Sequence, residues 1–418
     1  MAPAHHLPKP SRSGARFGMS QNFSVHEALS GNAEGLRPEA ARSGAPTQKV
    51  RLRALVIAHD ARAKGGVNNF LRIMRRKMRS RVDVSRFANG RRHLEHGRAQ
   101  TAKRLLHDYV RFAALLARRR FDVVHLNPTL DLSSLPREMA FAWLSKLVQP
   151  KAKVLLFYRG WDWKALDAIR GSSWKRTMFL ATHKRIDRVL LLSSTFKEAL
   201  VADGVPAGKI HVVSTMFEGD KLRPVLDRVP SKDPAALVFM SRFLPAKGGA
   251  ATIQAFAEIA TDYPAARLTM AGDGPDMARL RALSHELGLD DRIDFVGYVG
   301  GETKMELLAR ARLFILPTAH PEGMPNAVLE AMAAGDVIIT TPIGGITDVV
   351  EDGVNGCLLG SADATCVARE IRRYLENPEL AAATSARNRE KAWKLWESGV
   401  VADRIAQHYI DLTREQPA

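Results

Sequence analysis

Short apolar runs, rich in Val, Ile and Leu, alternate along the chain with longer stretches whose apolar residues recur every three or four positions. Runs that are apolar on both faces are typical of parallel strands covered by helices on either side. The longer stretches are typical of amphipathic helices. The predicted strands are 53–59, 122–126, 154–158, 189–192, 210–213, 237–240, 268–271, 293–296, 313–316 and 337–341. This alternation predicts an α/β fold built on doubly wound parallel sheets.

The alternation is interrupted at 216–234, a segment with three prolines and mixed charge that we interpret as an interdomain linker. The linker separates a first domain at 50–215 from a second at 235–392, and each is long enough to bury its own core. Residues 1–49 are rich in Pro, Ser, Gly and Ala. Because they cannot bury enough apolar area to offset the entropy of ordering, we expect a disordered basic tail. Residues 393–418 are predicted to form a C-terminal helix.

The segment 320–356 reads HPEGMPNAVLEAMAAGDVIITTPIGGITDVVEDGVNG and shows the clearest local pattern. Pro325 suits the first turn of a helix and Gly335 suits its C-terminal cap. A β-branched strand follows at 337–341, and then a second glycine turn and a short helix around 348–351. This order is the loop–helix–strand–loop unit of an α/β sheet.

Carboxylates flank the helix that this segment predicts. Glu322 lies in the loop before the helix, and Glu330 lies inside it on the face shared with Asn326. The backbone N–H groups of Gly323, Met324 and Asn326 at the helix N-terminus attract anionic oxygens. A carboxylate at each end of an anion site suits a ligand with a phosphate centre and hydroxyls on both sides, as in a nucleotide sugar.

Cations are predicted at the mouth of the second domain's first strand, where Arg242 and Lys247 lie in the sequence SRFLPAKGG. Ligands of open α/β sheets bind beyond the carboxyl ends of the strands. Two cations there suit a diphosphate and the negative charge that grows as it departs. Two other strand-to-helix turns carry candidate ligand-binding glycines, at Gly65 and Gly66 and at Gly272 and Gly274. The first of these turns is either a phosphate-binding turn or only a tight turn.

On these residues the chain resembles the retaining glycosyltransferases of the family-4 type. Glu322 and Glu330 match their E-x7-E motif, and EGMPNAVLEAMAAG and GGITDVVEDGVNG are similar to their donor-site block. The resemblance covers roughly 53–404. It implies the GT-B fold, in which two Rossmann-like domains face each other across a cleft, the first domain binds the acceptor and the last helix returns to the first domain.

The resemblance also implies a role for each site residue. Arg242 and Lys247 would bind the diphosphate of a nucleoside-diphosphate sugar, Glu322 the hydroxyls of the transferred sugar, and Glu330 the ribose. Arg242, Lys247 and Glu322 are therefore the candidate catalytic residues. The donor-binding set adds Gly65, Gly66, Gly272, Gly274, Gly323, Met324, Asn326 and Glu330. No cofactor is expected besides this co-substrate, and no metal, because the sequence has no D-x-D pair, no H-E-x-x-H and no Cys/His spacing of the zinc type.

The chain departs from the family pattern where many relatives have His-Gly after a central strand of the first domain. The matching residues here are Arg159 and Gly160. Arginine cannot act as a base at neutral pH, so we expect Arg159 to bind phosphate or sugar. Asp162 becomes a candidate for accepting the acceptor's proton. Trp161 is predicted either to stack on a sugar or isoprenoid or to pack in the core.

Charge suggests an anionic partner. The chain carries a formal net charge of +18, and residues 51–120 hold 20 basic and 4 acidic residues, hence +16. Phospholipid headgroups, a phosphorylated acceptor or nucleic acid fit such a block, and the alternative is a merely solvated basic face. The predicted helix at 100–120 has a basic side that suits a membrane surface. No apolar run reaches the ~20 residues that span a bilayer, so we expect a cytoplasmic protein, peripheral on the inner membrane.

The expected function is transfer of a sugar to a glycan or lipid-linked acceptor in the assembly of polysaccharide, lipopolysaccharide or glycolipid. One alternative is another GT-B enzyme, such as a sugar-nucleotide epimerase or a glycan phosphorylase. The other is a non-catalytic basic module that binds membranes or nucleic acid. Nucleic acid is not the expected partner, since the sequence lacks the aromatic-basic interleaving of single-strand binders. The sugar, the base, the acceptor and the oligomeric state are left open.

Overall fold

Two parallel sheets of six strands each organise the chain, of which a computed structural model describes residues 51–58, 66–89, 98–229 and 231–415. The strands of the first half are β1 (Leu52–Ala58), β2 (Val82–Ala88), β3 (Val123–Leu126), β4 (Thr129–Leu130), β5 (Lys153–Phe157), β6 (Gly160–Trp161), β7 (Arg188–Leu191) and β8 (Ile210–Val212). The first sheet has the order β2-β1-β3-β5-β7-β8, and β4 and β6 form a separate short pair. Every residue of β3 and β7 is buried, as expected for strands covered by helices on both faces.

The second sheet repeats this arrangement. Its strands are β9 (Ala236–Met240), β10 (Arg267–Ala271), β11 (Ile293–Gly297), β12 (Leu313–Leu316), β13 (Val337–Thr340) and β14 (Gly356–Leu358). They lie in the order β11-β10-β9-β12-β13-β14, all parallel. The order therefore reverses between β9 and β12, and a ligand crevice is expected outside the carboxyl ends of those two strands.

Helices connect the strands. Within the described part of the chain they are α1 (Gly66–Lys77), α2 (Arg98–Arg118), α3 (Leu135–Val148), α4 (Trp163–Arg170), α5 (Ser173–Arg185), α6 (Ser194–Ala202), α7 (Gly219–Arg228), α8 (Gly249–Ala260), α9 (Met277–Glu286), α10 (Gly301–Arg310), α11 (Asn326–Ala334), α12 (Ala364–Glu376), α13 (Pro378–Trp396) and α14 (Ser398–Arg414). No helix among these combines the length and the apolar character needed to cross a membrane.

The predicted α/β architecture is confirmed, with two doubly wound parallel sheets. All ten predicted strands are present with bounds that differ by at most one residue at each end, although the predicted end of the first, His59, lies outside the described residues, as does the tail at 1–49. The sequence pattern missed β2. This edge strand alternates between buried and exposed positions, so it lacks the continuous apolar run of its neighbours.

Three segments differ from their predicted form. The segment 216–234 contains the helix α7 despite Pro224 inside it, because burial of Leu222 and Val225 stabilises the helical turn. The short helix expected around 348–351 is instead a 3₁₀-helix at Gly344–Asp348, which ends where Val349 and Val350 turn into the core. The C-terminal helix expected at 393–418 is divided at Glu397, whose carboxylate caps the start of α14.

The last helix returns to the first domain. Helix α14 packs against α1. The Tyr409 hydroxyl on α14 lies 2.5 Å from Nδ1 of His125, in the centre of the first sheet, and both side chains are fully buried. The C-terminal helix is therefore part of the first domain's core.

Candidate active site

A lysine and a glutamate meet at the point where the second sheet reverses its strand order. Lys247 follows β9 and Glu322 follows β12, so both lie beyond carboxyl ends of neighbouring strands. The Lys247 ammonium contacts the Glu322 carboxylate directly, and only 12% and 11% of the two side chains are exposed. The Thr318 hydroxyl donates to the same carboxylate at 3.4 Å. The structure thus brings together a predicted cation and a predicted carboxylate in the expected ligand crevice.

The backbone around Lys247 explains this position. A 3₁₀-helix at Pro245–Lys247 ends at Gly248, which adopts φ +81°. A Cβ atom at Gly248 would lie 2.2 Å from the carbonyl oxygen of Pro317, just after β12. Only glycine permits both the left-handed conformation and this close approach. The loop after β9 can therefore press against the end of β12, where Glu322 follows.

Arg242 lies at the edge of the same crevice, two residues after the end of β9. Its side chain is exposed and has no ion pair or hydrogen bond with any described residue. The turn after β10 packs closely against the bend that follows β9. A Cβ atom on Gly272 would lie 1.9 Å from the Ser241 carbonyl oxygen, and one on Gly274 would lie 2.3 Å from the Phe243 carbonyl oxygen. Close packing therefore explains why both positions are glycine, and contact of either glycine with a nucleotide stays a prediction.

Glu330 has a cation of its own, which the sequence analysis missed. On α11 its carboxylate lies 2.5 Å from the ammonium of Lys304 on α10, and both side chains are mostly buried. Helix α11 begins after Pro325 without a side-chain cap, so its first N–H groups are not satisfied by a capping side chain. Each acid of the E-x7-E pair is thus paired with a different lysine beside an uncapped helix N-terminus.

The second glycine turn holds the backbone that carries Glu322. A Cβ atom at Gly344 would lie 1.8 Å from the Glu322 carbonyl oxygen, and one at Gly345 would lie 2.1 Å from that of Gly323. The Gly345 N–H also donates to the Gly323 carbonyl at 2.7 Å. The Met324 side chain is buried beside this turn, so any donor contact there would be through its backbone.

Residues of the first domain contact the second domain beside the helix α11. A Cβ atom at Gly66 would lie 3.3 Å from the side-chain nitrogen of Asn326, and the Thr215 hydroxyl donates to Oδ1 of Asn326 at 2.5 Å. The N–H of Ser194, at the start of α6, donates to the carboxylate of Asp348 at 2.8 Å, and burial raises the pKa of that carboxyl. The predicted donor residues of the second domain therefore face the carboxyl edge of the first sheet. Gly65 lies outside the described residues.

Trp161 is a packing residue. Its ring is 7% exposed and lies parallel to the Phe196 ring, with centroids 4.3 Å apart. The edge of Trp163 meets it at 5.6 Å. The structure thus shows the packing contacts of Trp161, and its stacking on a sugar or isoprenoid stays a prediction.

The other acceptor-side candidates differ in accessibility. Asp162 is exposed and caps α4, since its carboxylate accepts the Lys164 N–H at 2.9 Å; its role as a proton acceptor stays a prediction. Arg159 extends over the rings of Phe70 and Phe157, 4.0 and 4.2 Å from their centroids. Burial lowers the pKa of Arg159 to about 9, so the group remains a cation at neutral pH and cannot serve as a base.

Two family models match the chain. Residues 227–391 match "Glycosyl transferases group 1", and residues 64–218 match "Glycosyltransferase Family 4". The chain therefore belongs to the glycosyltransferases that these two models describe. The first match contains Arg242, Lys247, Glu322 and Glu330, and the second contains the acceptor-side candidates.

Curated relatives resemble parts of the chain. An N-acetyl-alpha-D-glucosaminyl L-malate synthase of Bacillus anthracis is 32% identical over 44% of this chain and 48% of its own length. A putative colanic acid biosynthesis glycosyltransferase of Escherichia coli, WcaL, is 26% identical over 65% of this chain and 67% of its own length. The chain spans about half the length of the first of these relatives.

A solved structure has the same fold. HepE of Anabaena, in complex with UDP, superposes with a TM-score of 0.67 at 18% identity, over 86% of this chain and 100% of that chain. At this identity the likeness shows the fold alone, which is the GT-B fold that the resemblance implied.

Proposed function

We propose that the protein is a retaining glycosyltransferase that moves a sugar from a nucleoside-diphosphate sugar to a glycan or lipid-linked acceptor. The observation that carries this proposal is the contact between Lys247 and Glu322 at the reversal point of the second sheet. This contact supports a common site in which Lys247 would bind the diphosphate and Glu322 the transferred sugar. Family membership and the names of the relatives support assembly of a polysaccharide or glycolipid as the purpose of the reaction.

The donor would lie along the crevice with its diphosphate at the cations. Arg242 is free to bind it, and Lys247 can bridge the diphosphate and Glu322 without leaving its present position. Both cations would stabilise the negative charge that develops as the diphosphate departs. This placement lets side chains take the part that a divalent ion plays in other transferases, so we expect transfer without a metal. Among the described residues no three His, Cys, Asp or Glu side chains form a potential metal site.

The two carboxylates would hold the sugar rings at either end of the diphosphate. Glu322 would accept hydrogen bonds from the transferred sugar, and Glu330, oriented by Lys304, from the ribose. Fixing both rings positions the reacting carbon, and positioning is a large part of catalysis in such transfers. Retention would follow if the acceptor attacks an oxocarbenium-like sugar from the face that the diphosphate leaves. The departing phosphate would then take the acceptor's proton.

The basic first domain would place this cleft at a membrane. On α2, Leu106 and Val110 are 65% and 60% exposed, Lys103 and Arg111 lie within about a turn of one or the other, and Arg118 ends the same helix. Exposed apolar residues flanked by cations are typical of helices that lie in the headgroup region of an anionic membrane. We therefore propose peripheral binding on the cytoplasmic face of the inner membrane, where a lipid-linked acceptor would be found.

Nucleotide binding and product analysis test the proposal. UDP, GDP and ADP are compared for their effect on the melting temperature, which a ligand of the folded state raises. A donor with the preferred base and a labelled sugar is then incubated with a membrane extract. We expect label in a glycan or lipid product, lost in Arg242→Gln and Lys247→Met proteins that still melt cooperatively. Free epimer as the product would instead identify an epimerase. Release of sugar phosphate from a labelled glycan incubated with inorganic phosphate and no nucleotide sugar would identify a phosphorylase, and full turnover in both variants would refute the assigned roles.

A further inference from the structure

An arginine whose side chain has no ion pair or hydrogen bond to any described residue lies at the edge of the first sheet that faces the second domain. Arg159 follows β5 by one residue, and its N–H donates to the Pro128 carbonyl at 2.8 Å, which fixes the backbone. Its guanidinium lies against the rings of Phe70 and Phe157. The aromatic contacts determine where the cation lies, but they do not satisfy its in-plane N–H donors.

The guanidinium is only partly compensated. Its Nε and Nη1 atoms are shielded from solvent and have no hydrogen-bond partner within the described part of the chain, although the residue as a whole keeps some exposure. No carboxylate of the described residues forms an ion pair with it, and the shift in its pKa has burial as its one cause. Buried donors are nearly always satisfied in folded proteins, and an unpaired buried charge is costly. A cation kept in this state indicates a ligand that supplies the missing acceptors.

The position of Arg159 relates this ligand to the cleft. Phe70 lies one turn inside α1, whose first residue, Gly66, faces the Asn326 side chain of the second domain. Behind Arg159, His125 is fully buried and remains neutral, because burial and the Arg159 charge lower the pKa of its imidazole to about 3. Arg159 therefore brings a permanent charge to the first domain's side of the cleft, across from the cations proposed to bind the diphosphate.

We propose that Arg159 binds an anionic group, a carboxylate or a phosphate, that a substrate carries in addition to the donor diphosphate. The guanidinium presents a planar fork of donors that matches either group with two parallel hydrogen bonds. The group belongs either to the acceptor or to the transferred sugar, as in a uronic acid. This inference rests on the proposed function. It implies that Arg159 makes the same cleft prefer substrates that carry an anionic group over neutral ones.

The test compares charged with neutral ligands in the full chain and uses the nucleotide that raises the melting temperature most. In the acceptor arm this nucleotide is saturating, so that the diphosphate site is filled, and glucose 6-phosphate and glucuronate are titrated against glucose. In the donor arm the nucleotide's glucuronate conjugate is titrated against its glucose conjugate. The variants are Arg159→Met, which keeps the packing on the rings, and Arg159→Lys, which keeps the charge without the fork.

The matched control is Arg185→Met. Arg185 also stacks on an aromatic ring, 4.0 Å from the centroid of Trp143, but it lies just before β7 begins and so at the opposite edge of the sheet from the cleft. A general effect of removing a stacked arginine would appear in both variants. An effect of the proposed anion site would appear only in Arg159→Met.

We expect the unmodified chain to bind a charged ligand at least tenfold more tightly than its neutral counterpart in one arm, which identifies the source of the anion. Arg159→Met should lose this preference, Arg159→Lys should keep part of it and Arg185→Met all of it. The melting temperature of Arg159→Met without ligand should not fall, because a buried unpaired charge is removed. Absence of a charge preference in both arms, or its persistence in Arg159→Met, would overturn the inference alone. Failure of every nucleotide to bind would overturn the proposed function and the inference with it.

Discussion

The ammonium of Lys232 lies 2.5 Å from Oδ1 of Asp336 inside the second domain, where the two side chains are 8% and 0% exposed. Asp336 lies between α11 and β13, and Lys232 comes from the segment before β9. The lysine also donates to the carbonyls of Leu308 and Ala311 at 3.0 and 2.7 Å. Burial raises the pKa of Asp336 to about 7 and lowers that of Lys232. The carboxyl of Asp336 is thus buried together with one close cationic partner.

Removing the lysine alone should be strongly destabilising. Lys232→Met leaves Asp336 buried without a counter-ion, so the free energy of unfolding should fall by about 3–5 kcal/mol. Urea denaturation measures this change. The double variant Lys232→Met with Asp336→Leu removes both charges and should regain most of the loss. A single variant as stable as the parent would show that the pair does not exist in solution.

Lys304 should act on donor binding through Glu330. In Lys304→Met the Glu330 carboxylate loses the cation 2.5 Å away, and its hydrogen bonds to the ribose should weaken. We expect the KM for the donor to rise about tenfold, since a hydrogen bond to a charged group contributes about 1.5 kcal/mol. The kcat should change little, because the ribose contact is the same in the ground and transition states.

A lysine–glutamate pair elsewhere in the chain provides the control for Lys304. The Lys221 ammonium lies 2.8 Å from the Glu218 carboxylate, and neither residue belongs to the proposed donor site. Lys221→Met therefore removes the lysine of an ion pair and leaves the donor-site residues unchanged. Its kinetic constants should equal those of the parent. Equal effects of the two substitutions, or a fall in kcat alone in Lys304→Met, would contradict the positioning role.

The positions of Arg242, Lys247 and Glu322 beyond strand ends could be predicted from the sequence, because each follows a strand that its own apolar run reveals. The position of Glu330 on a helix could be predicted from the proline and glycine that bound that helix. The roles of these residues in the site stay predictions. Lys304 could not be predicted, since its contact depends on how α10 packs beside α11.

The contacts between the domains were also beyond the sequence pattern. The Thr215 hydroxyl and the Asn326 side chain are 111 positions apart, and the Ser194 N–H and Asp348 are 154 apart. Only the relative placement of the two sheets brings such pairs together. The resemblance makes Arg159 a candidate, but the sequence cannot show that its guanidinium lies on Phe70 and Phe157 without a hydrogen bond from Nε or Nη1 to any described residue.

Two glycines with positive φ separate backbone strain from a steric effect on the site. Gly344 has φ +57° and a Cβ atom there would overlap the Glu322 carbonyl oxygen, whereas Gly353 has φ +72° and open space around it. Gly353→Ala should cost about 1–2 kcal/mol from the left-handed conformation and leave transfer unchanged. Gly344→Ala should cost more and also reduce transfer, because it must displace Glu322. Thermal melting and turnover measure the two effects, and equal turnover in both variants would show that this turn does not position Glu322.

Buried neutral histidines should make the protein sensitive to acid. Burial lowers the pKa of His125 to about 3 and that of His183 to about 4, below the ordinary value of 6.5. Between pH 6.5 and about 4 the unfolded chain binds protons at these positions and the folded chain does not, so the stability present above pH 6.5 is lost as the pH falls. The melting temperature should therefore decrease from pH 7.5 to pH 5.

A variant can show how much of the pH dependence of the melting temperature comes from His183. His183→Gln cannot take up a proton, so its melting temperature should depend less on pH, even though it starts lower because the hydrogen bonds of His183 to Tyr158 and to the Phe179 carbonyl are changed. His107→Gln, at an exposed position on α2, should keep the slope of the parent. An unchanged slope in His183→Gln would refute the assignment.

Leu106 and Val110 should anchor the first domain to anionic membranes. Replacing both with serine should weaken binding to phosphatidylglycerol vesicles roughly tenfold or more, since each apolar side chain that enters the interface contributes about 1.5 kcal/mol or more. Co-sedimentation with vesicles measures this binding, and salt should weaken it because the neighbouring Lys103, Arg111 and Arg118 act through exposed charges. Leu287→Ser, at an equally apolar exposed position of the second domain, is the control and should bind as the parent does. Equal binding to vesicles with and without phosphatidylglycerol, or no loss in the double variant, would contradict the proposed orientation at the membrane.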